Sequence, residues 1–180
     1  MSIVVGPADA GFFELAPLCD FGFTVEAMVD PAIEGAISSR LRPVTPFRKS
    51  YETSIDTYRD YLAAPDCALL VARLNGRFAG FTALRRHWNG LALIEELAVD
   101  AMSRRRGVAR ELLAAAIAWA EAQGLAGLML ETQDNNVAAC RLYESSGFEL
   151  GGVDRLLYAG TSHRDEVALF WYRLFDPVRR

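Results

Sequence analysis

The sequence predicts an α/β fold, a mixed and mostly antiparallel twisted sheet with a central parallel strand pair and flanking helices. Three observations predict it. Two Asn-Gly pairs, Asn75-Gly76 and Asn89-Gly90, separate the β-rich runs 67–73, 77–84 and 91–99, so three strands follow one another as antiparallel hairpins. Leu112, Leu113, Ala116, Ile117 and Ala120 form the apolar face of a helix over 108–123, which Gly124 stops. A short buried strand at 128–131 follows. A helix between strands is a crossover, so 91–99 and 126–133 run parallel.

The remaining elements follow in order. The β-branched run 3–5 before Gly6-Pro7 predicts an edge strand, and 9–19 predicts a helix ending near Pro17. Between 23 and 50 three prolines break any period, apart from a strand at 23–29. Ser54 is placed to cap a helix over 55–62, where Ile55, Tyr58, Tyr61 and Leu62 fall at helical spacing and Pro65 closes the segment. A helix over 136–146 stops at Gly147, and two strands, 148–158 and 166–175, are joined by the turn-forming Gly160-Thr161-Ser162. With no repeat, linker or low-complexity stretch, residues 1–180 read as one domain.

Composition excludes several classes. The chain has 180 residues, 52% of them hydrophobic, which is ample for one core, but no run of about 18 or more uncharged apolar residues that would span a membrane. The start, Met1 to Pro7, has no basic region followed by a long apolar one, so a cytoplasmic protein is expected. Cys19, Cys67 and Cys140 are odd in number and far apart, which argues against a disulfide framework. With only His87 and His163 beside them, no zinc site and no metal is expected. A net charge of −4 disfavours nonspecific nucleic-acid binding and suits a cationic substrate. Lys49 is the one lysine, and three of the arginines sit together at 104–106.

That arginine cluster belongs to the stretch that organises the chain, 94–109. It reads as a strand carrying Glu95 and Glu96, then a loop of the pattern Arg104-x-x-Gly107-x-Ala109, then a helix. A helix start leaves about four N–H groups unpaired and carries roughly half a positive charge, so an anion can dock there. Gly107 lets the backbone approach that anion, Ala109 keeps the next turn slim, and Arg104, Arg105 and Arg106 add charge. Strand alternation sets Glu95 and Glu96 on opposite faces, so at least one borders a cleft. Downstream, Asn136 and Tyr143 are seven residues apart, two helical turns along one face. Cys140 has no histidine near it in sequence and reads as a packed core thiol.

The Arg104-x-x-Gly107-x-Ala109 loop, together with Asn136-x-x-Ala139-x-x-x-Tyr143-x-x-x-Gly147-Phe148, resembles the acetyl-coenzyme A site of the GNAT superfamily of N-acetyltransferases. The resemblance covers about residues 67–175 as an acetyl-CoA core, leaves 1–66 as an acceptor-side region, and implies that the parallel pair splays at the coenzyme. It implies that the backbone from Arg104 through Val108 to Ala109 holds the pyrophosphate, and that Leu97, Ala98 and Val99 pair with the pantetheine arm like an added strand. It gives Asn136 and Ala139 coenzyme contacts and makes Tyr143 the proton donor to the departing thiolate, for which a phenol near pKa 10 is a chemical match. Glu95 is then the base that takes the ammonium proton, Glu96 a contact for the cationic acceptor, and Glu131 the alternative base.

Within the superfamily, Trp88-Asn89, 94–99, 128–131 and 152–158 resemble streptothricin acetyltransferases, antibiotic-resistance enzymes that cap an amine. That implies Asp154 and Tyr158 as substrate contacts, Asn89 beside them, and Trp88 as a wall that stacks on a cation. The expected reaction is direct acetyl transfer to a primary amine of a small cationic acceptor. Two alternatives stay open, a protein or peptide N-acetyltransferase and a non-catalytic acyl-CoA-binding module. A small-molecule amine is the expected partner, a homodimer is left open, and neither nucleic acid nor membrane is expected.

Overall fold

The computed structural model describes residues 2–32, 34–51 and 54–176. Its strands are β1 (Ile3–Pro7), β2 (Phe23–Val29), β3 (Leu41–Lys49), β4 (Cys67–Leu74), β5 (Arg77–Arg86), β6 (Ala92–Val99), β7 (Gly127–Gln133), β8 (Glu149–Asp154) and β9 (Ala168–Leu174). Its α-helices are α1 (Phe12–Leu15), α2 (Val108–Ala122) and α3 (Val137–Ser145). The chain forms two compact units, one of Met1–Gly22, Ser50–Leu128 and Phe175–Arg180, the other of Phe23–Lys49 and Met129–Leu174. The sheet is mixed and mostly antiparallel, and β6 and β7 are its parallel pair, as the crossover helix requires.

In the first unit β1, β4, β5 and β6 are successive antiparallel neighbours. The Asn-Gly turn between β4 and β5 has both residues at positive φ, 50° at Asn75 and 80° at Gly76, the geometry a two-residue hairpin needs. The second turn closes with Gly90 at φ 81° and His87 N–H on the Leu91 carbonyl at 2.9 Å. Helix α2 buries Val108, Leu112, Leu113, Ala116 and Ala120, and Val108 and Leu112 join Ala72, Leu74 and Ala79 in one apolar cluster. A second cluster gathers Phe12, Tyr58, Leu69, Val71, Phe81 and Ala98. Gly80 sits where a Cβ would lie 2.4 Å from the Ala98 carbonyl oxygen, so only glycine lets β5 close on the end of β6.

In the second unit β9 lies between β7 and β8, and β2 pairs antiparallel with β3 in a separate two-stranded sheet. Asn136 caps α3 by accepting the Ala139 N–H at 3.2 Å, and Gly147 ends it at φ 80°.

Three expectations change. The 9–19 helix is only one α-turn, α1, followed by a 3-10 turn, Ala16–Leu18, with Pro17 near its start. Segment Ile55–Leu62 is a 3-10 helix, and Ser54 makes no side-chain cap bond. The segment after 30, read as patternless, contains β3; Pro43 and Pro46 are tolerated because β3 has a single partner strand. No helix among the described residues is long and apolar enough to cross a membrane.

Candidate active site

In the first unit the loop after β6 makes a concave run of backbone N–H groups. Arg105 and Gly107 adopt positive φ, 61° and 89°, and Gly107 is the N-cap of α2. Left-handed residues set among ordinary ones turn successive N–H groups inward, which is how backbone nests hold anions. A Cβ on Gly107 would meet only the Ile3 side chain, at 3.7 Å, so its left-handed φ, not crowding, demands glycine here. Arg105 and Arg106 are exposed.

Arg104 is tied to the backbone on both sides of the loop. Its guanidinium donates to the carbonyls of Val99 (3.0 Å), Gly22 (2.7 Å) and Phe21 (2.9 Å), so its charge staples the loop to the end of β6 and to residues 21–22. Arg104 shapes the cradle, and the cradle's free charge comes from Arg105, Arg106 and the helix end. Val108 is buried beneath that helix end, and Ala109 is half-buried. Upstream on β6, Leu97 and Val99 are half-buried and Ala98 is buried.

The two glutamates of β6 do not obey strict alternation. Ala83 pairs with Glu96 and Leu84 with Ile94, so Glu95 is the extra residue of a β-bulge. Burial first, then the charges of both Glu96 and Glu95, push the Tyr58 phenol well above its ordinary range. Both carboxylates therefore act on one side chain. Glu95 accepts a hydrogen bond from the Tyr61 hydroxyl and pairs with the Arg85 guanidinium, whose pKa that bond raises. The Tyr58 and Tyr61 rings meet edge-on at 5.3 Å. Sequence reading missed Arg85, Tyr58 and Tyr61 as partners of these carboxylates; the tyrosines at helical spacing were the available signal.

Trp88 stands at the β5–β6 hairpin tip, 89% exposed, with the His87 ring 5.6 Å away. Asn89 Oδ1 accepts the Leu91 N–H at 3.1 Å and shapes that turn.

In the second unit, Glu131 and Tyr158 come together. The Tyr158 hydroxyl donates to Glu131 Oε1 and accepts from Gln133 Nε2 at 3.0 Å. Burial raises the Glu131 pKa, the Tyr158 bond lowers it, and the Glu166 charge raises it again; the net direction is upward. Burial likewise pushes the Tyr158 phenol up, and its bond to Glu131 adds to this. Asp154 is engaged locally: its Oδ1 accepts the N–H groups of Leu156 (2.7 Å) and Leu157 (3.0 Å), which fixes the chain leading to Tyr158.

The Asn136-to-Phe148 motif is explained residue by residue on the same side of the chain. Asn136 and Ala139 form the N-terminal cap, and the Phe148 N–H closes the helix on the Tyr143 carbonyl at 3.0 Å. The Tyr143 ring is 6% exposed and packs against Phe148 and Trp171, with centroids at 5.8 and 6.2 Å. Cys140 is fully buried, and burial pushes its thiol up to about 12, so no thiolate forms there near neutral pH.

Comparison with known proteins follows the same lines. Residues 36–148 match the family described as Acetyltransferase (GNAT) family. Streptothricin acetyltransferase A of Bacillus subtilis (strain 168) is 37% identical over 155 residues, 85% of this chain and 89% of that protein. Streptothricin acetyltransferase of Escherichia coli is 39% identical over 132 residues, 73% of this chain and 72% of that protein. A crystal structure from Bacillus anthracis str. Ames, in complex with acetyl coenzyme A and provisionally described as a streptothricin acetyltransferase, has a TM-score of 0.87. It is 37% identical and covers 98% of this chain and 100% of its own. With its motifs, its sheet and this match over more than half its residues in agreement, the chain belongs to the GNAT family of acetyltransferases.

Proposed function

We propose that this acetyl-CoA-dependent N-acetyltransferase moves the acetyl group directly onto a primary amine of a small cationic acceptor of streptothricin type. The Gln133–Tyr158–Glu131 chain carries this reading. An amine attacks a thioester only after its ammonium proton has left, and a base works best when its pKa lies near the working pH. Glu131 is half-buried, accepts from a phenol and has its pKa raised, which suits it to that task. Glu95 already accepts from Tyr61 and Arg85, so both of its oxygens are engaged. We therefore assign Glu131 the base, give Glu96 the contact with the cationic acceptor, and leave Glu95 held by Tyr61 and Arg85. The acceptor class is supported by the two relatives at 37–39% identity, both streptothricin acetyltransferases.

In this reading acetyl-CoA supplies the activated acetyl group. The N–H groups from Arg105 to Ala109, with Arg105 and Arg106, bind its pyrophosphate, and Leu97, Ala98 and Val99 present the strand edge for its pantetheine arm. Asn136 and Ala139 keep α3 in register, and Tyr143 protonates the departing thiolate. Trp88, Asn89, Asp154 and Tyr158 remain acceptor-side residues.

Gly107→Glu tests the cradle. The left-handed φ alone costs about 1–2 kcal/mol for a residue with a Cβ, and the new carboxylate repels the phosphates. Acetyl-CoA affinity by calorimetry is expected to fall at least about tenfold; unchanged affinity removes the cradle from the account. The acceptor is tested by measuring thiol release across streptothricin, polyamines, free lysine and peptides with free N-termini. Highest kcat/KM for streptothricin or another small polyamine is expected. A preference for peptides moves the assignment to protein N-acetylation, and coenzyme binding without turnover of any amine moves it to a binding module.

A further inference from the structure

Three segments of the second unit, the ends of β2 and β3 and residues 163–167, gather around the end of β7. The Asp134 N–H donates to the Val167 carbonyl at 3.0 Å, and the Val167 N–H returns to Asp134 Oδ1 at 3.2 Å. The Val29 N–H, at the end of β2, reaches the Asp134 carbonyl at 2.7 Å. These bonds fix Glu166 beside the end of β7. Its carboxylate is paired with Lys49, the last residue of β3, and Lys49 Nζ also lies 2.8 Å from His163 Nδ1. The pair is mostly buried, with side-chain exposures of 13% for Lys49 and 10% for Glu166. His163 Nδ1 also lies 3.5 Å from Glu166 Oε1, so lysine, histidine and carboxylate form one cluster. Neither Lys49 nor His163 has a part in the chemistry described above, and Glu166 enters it only as a charge acting on Glu131.

We propose that Lys49 is a positioning residue for the acetyl transfer: held between Glu166 and His163, it is the fixed counter-charge for the buried Glu166 carboxylate that the Asp134–Val167 bonds set beside the end of β7, where Glu131 lies. The proposal rests on the reading of Glu131 as base. The groups that face this network are Lys49 and Arg42 on β3, Glu131 on β7 and Asp134 just after it, Cys140 on α3, and Tyr158, His163 and Glu166 from the segment before β9. Among them the Glu166 charge acts upward on Glu131, on Asp134 and on Tyr158 alike. A carboxylate that presses on three neighbours needs a fixed counter-charge, and a buried pair that loses one partner leaves the other charge uncompensated.

Opposite ends of one ion pair give the test. Lys49→Met and Glu166→Gln both break the same contact, so a purely structural role makes them act alike. A charge role makes them act oppositely, because one leaves an extra negative charge beside Glu131 and the other removes it. The readout is the Glu131 carboxyl carbon, followed by NMR in the full-length protein labelled with carbon-13 glutamate and assigned with Glu131→Gln. The Glu131 midpoint is expected to rise by about one pH unit in Lys49→Met and to fall by a similar amount in Glu166→Gln. It should lie near wild type in the double variant and in Lys49→Arg, which also serve if a single variant folds poorly. Shifts in one direction for both, or none, overturn the proposal. The acid limb of kcat/KM separates this from the parent reading: if the midpoint moves as expected while the limb stays, Lys49 still tunes Glu131 but Glu131 is not the base.

Discussion

Glu131→Gln is expected to lower turnover by about 10²–10⁴-fold, the usual contribution of a positioned base, and to remove the acid limb of the pH–rate profile. The sign follows from the direction of the shift. Only the deprotonated carboxylate accepts the ammonium proton, so the rate climbs as pH rises through the Glu131 pKa. Burial holds that pKa above the ordinary value of about 4.3, and the limb lies correspondingly higher. Acetyl-CoA affinity should stay within a few-fold. Glu95→Gln is the control: it loses an ion-pair partner of Arg85 and an acceptor for Tyr61, yet the limb should persist. If the limb vanishes in Glu95→Gln and survives in Glu131→Gln, the roles are exchanged. If it survives in both, the amine loses its proton to solvent.

Tyr143→Phe is expected to have an effect of the same size through the other proton. It removes one hydroxyl from a ring held by Phe148 and Trp171, so packing is preserved and coenzyme affinity should change little. Turnover should fall by about 10²–10⁴-fold when the leaving thiolate loses its proton donor. A drop confined to particular acceptors is not expected, because the leaving thiolate is the same for every amine. Equal turnover in Tyr143→Phe makes Tyr143 a packing residue and leaves the thiolate to solvent.

The parts of this fold that were legible in the sequence are those with local causes. Asn75-Gly76 and Gly90 carry the positive φ values that hairpin turns demand, and helix α2 shows its apolar face and its Gly124 stop within one segment. The glycine that starts α2 was legible for the same reason, because Gly107 and the helix it caps are adjacent. What could not be read depends on pairing across distance. Strand β3 carries two prolines and makes sense only beside β2. The bulge at Glu95 is invisible to a period-two reading, since it exists only in register with Ala83 and Leu84. The carbonyl partners of Arg104 at 21 and 22 lie more than 80 residues away, so its hold on them had no sequence signal. Lys49 and Glu166, 117 positions apart, offered no sequence signal of their contact.

Direct transfer is the claim on which the rest depends, and a rapid-quench single turnover with enzyme in excess over acetyl-CoA measures it. With streptothricin as acceptor, thiol release and N-acetylated product are expected to appear together in one phase, with no acetyl group on the protein at any time. Cys140, fully buried and with its thiol pushed up to about 12, is not a residue that could carry one. An acetylated protein that forms before the product and decays into it, or thiol released without any acetylated amine, would contradict the account.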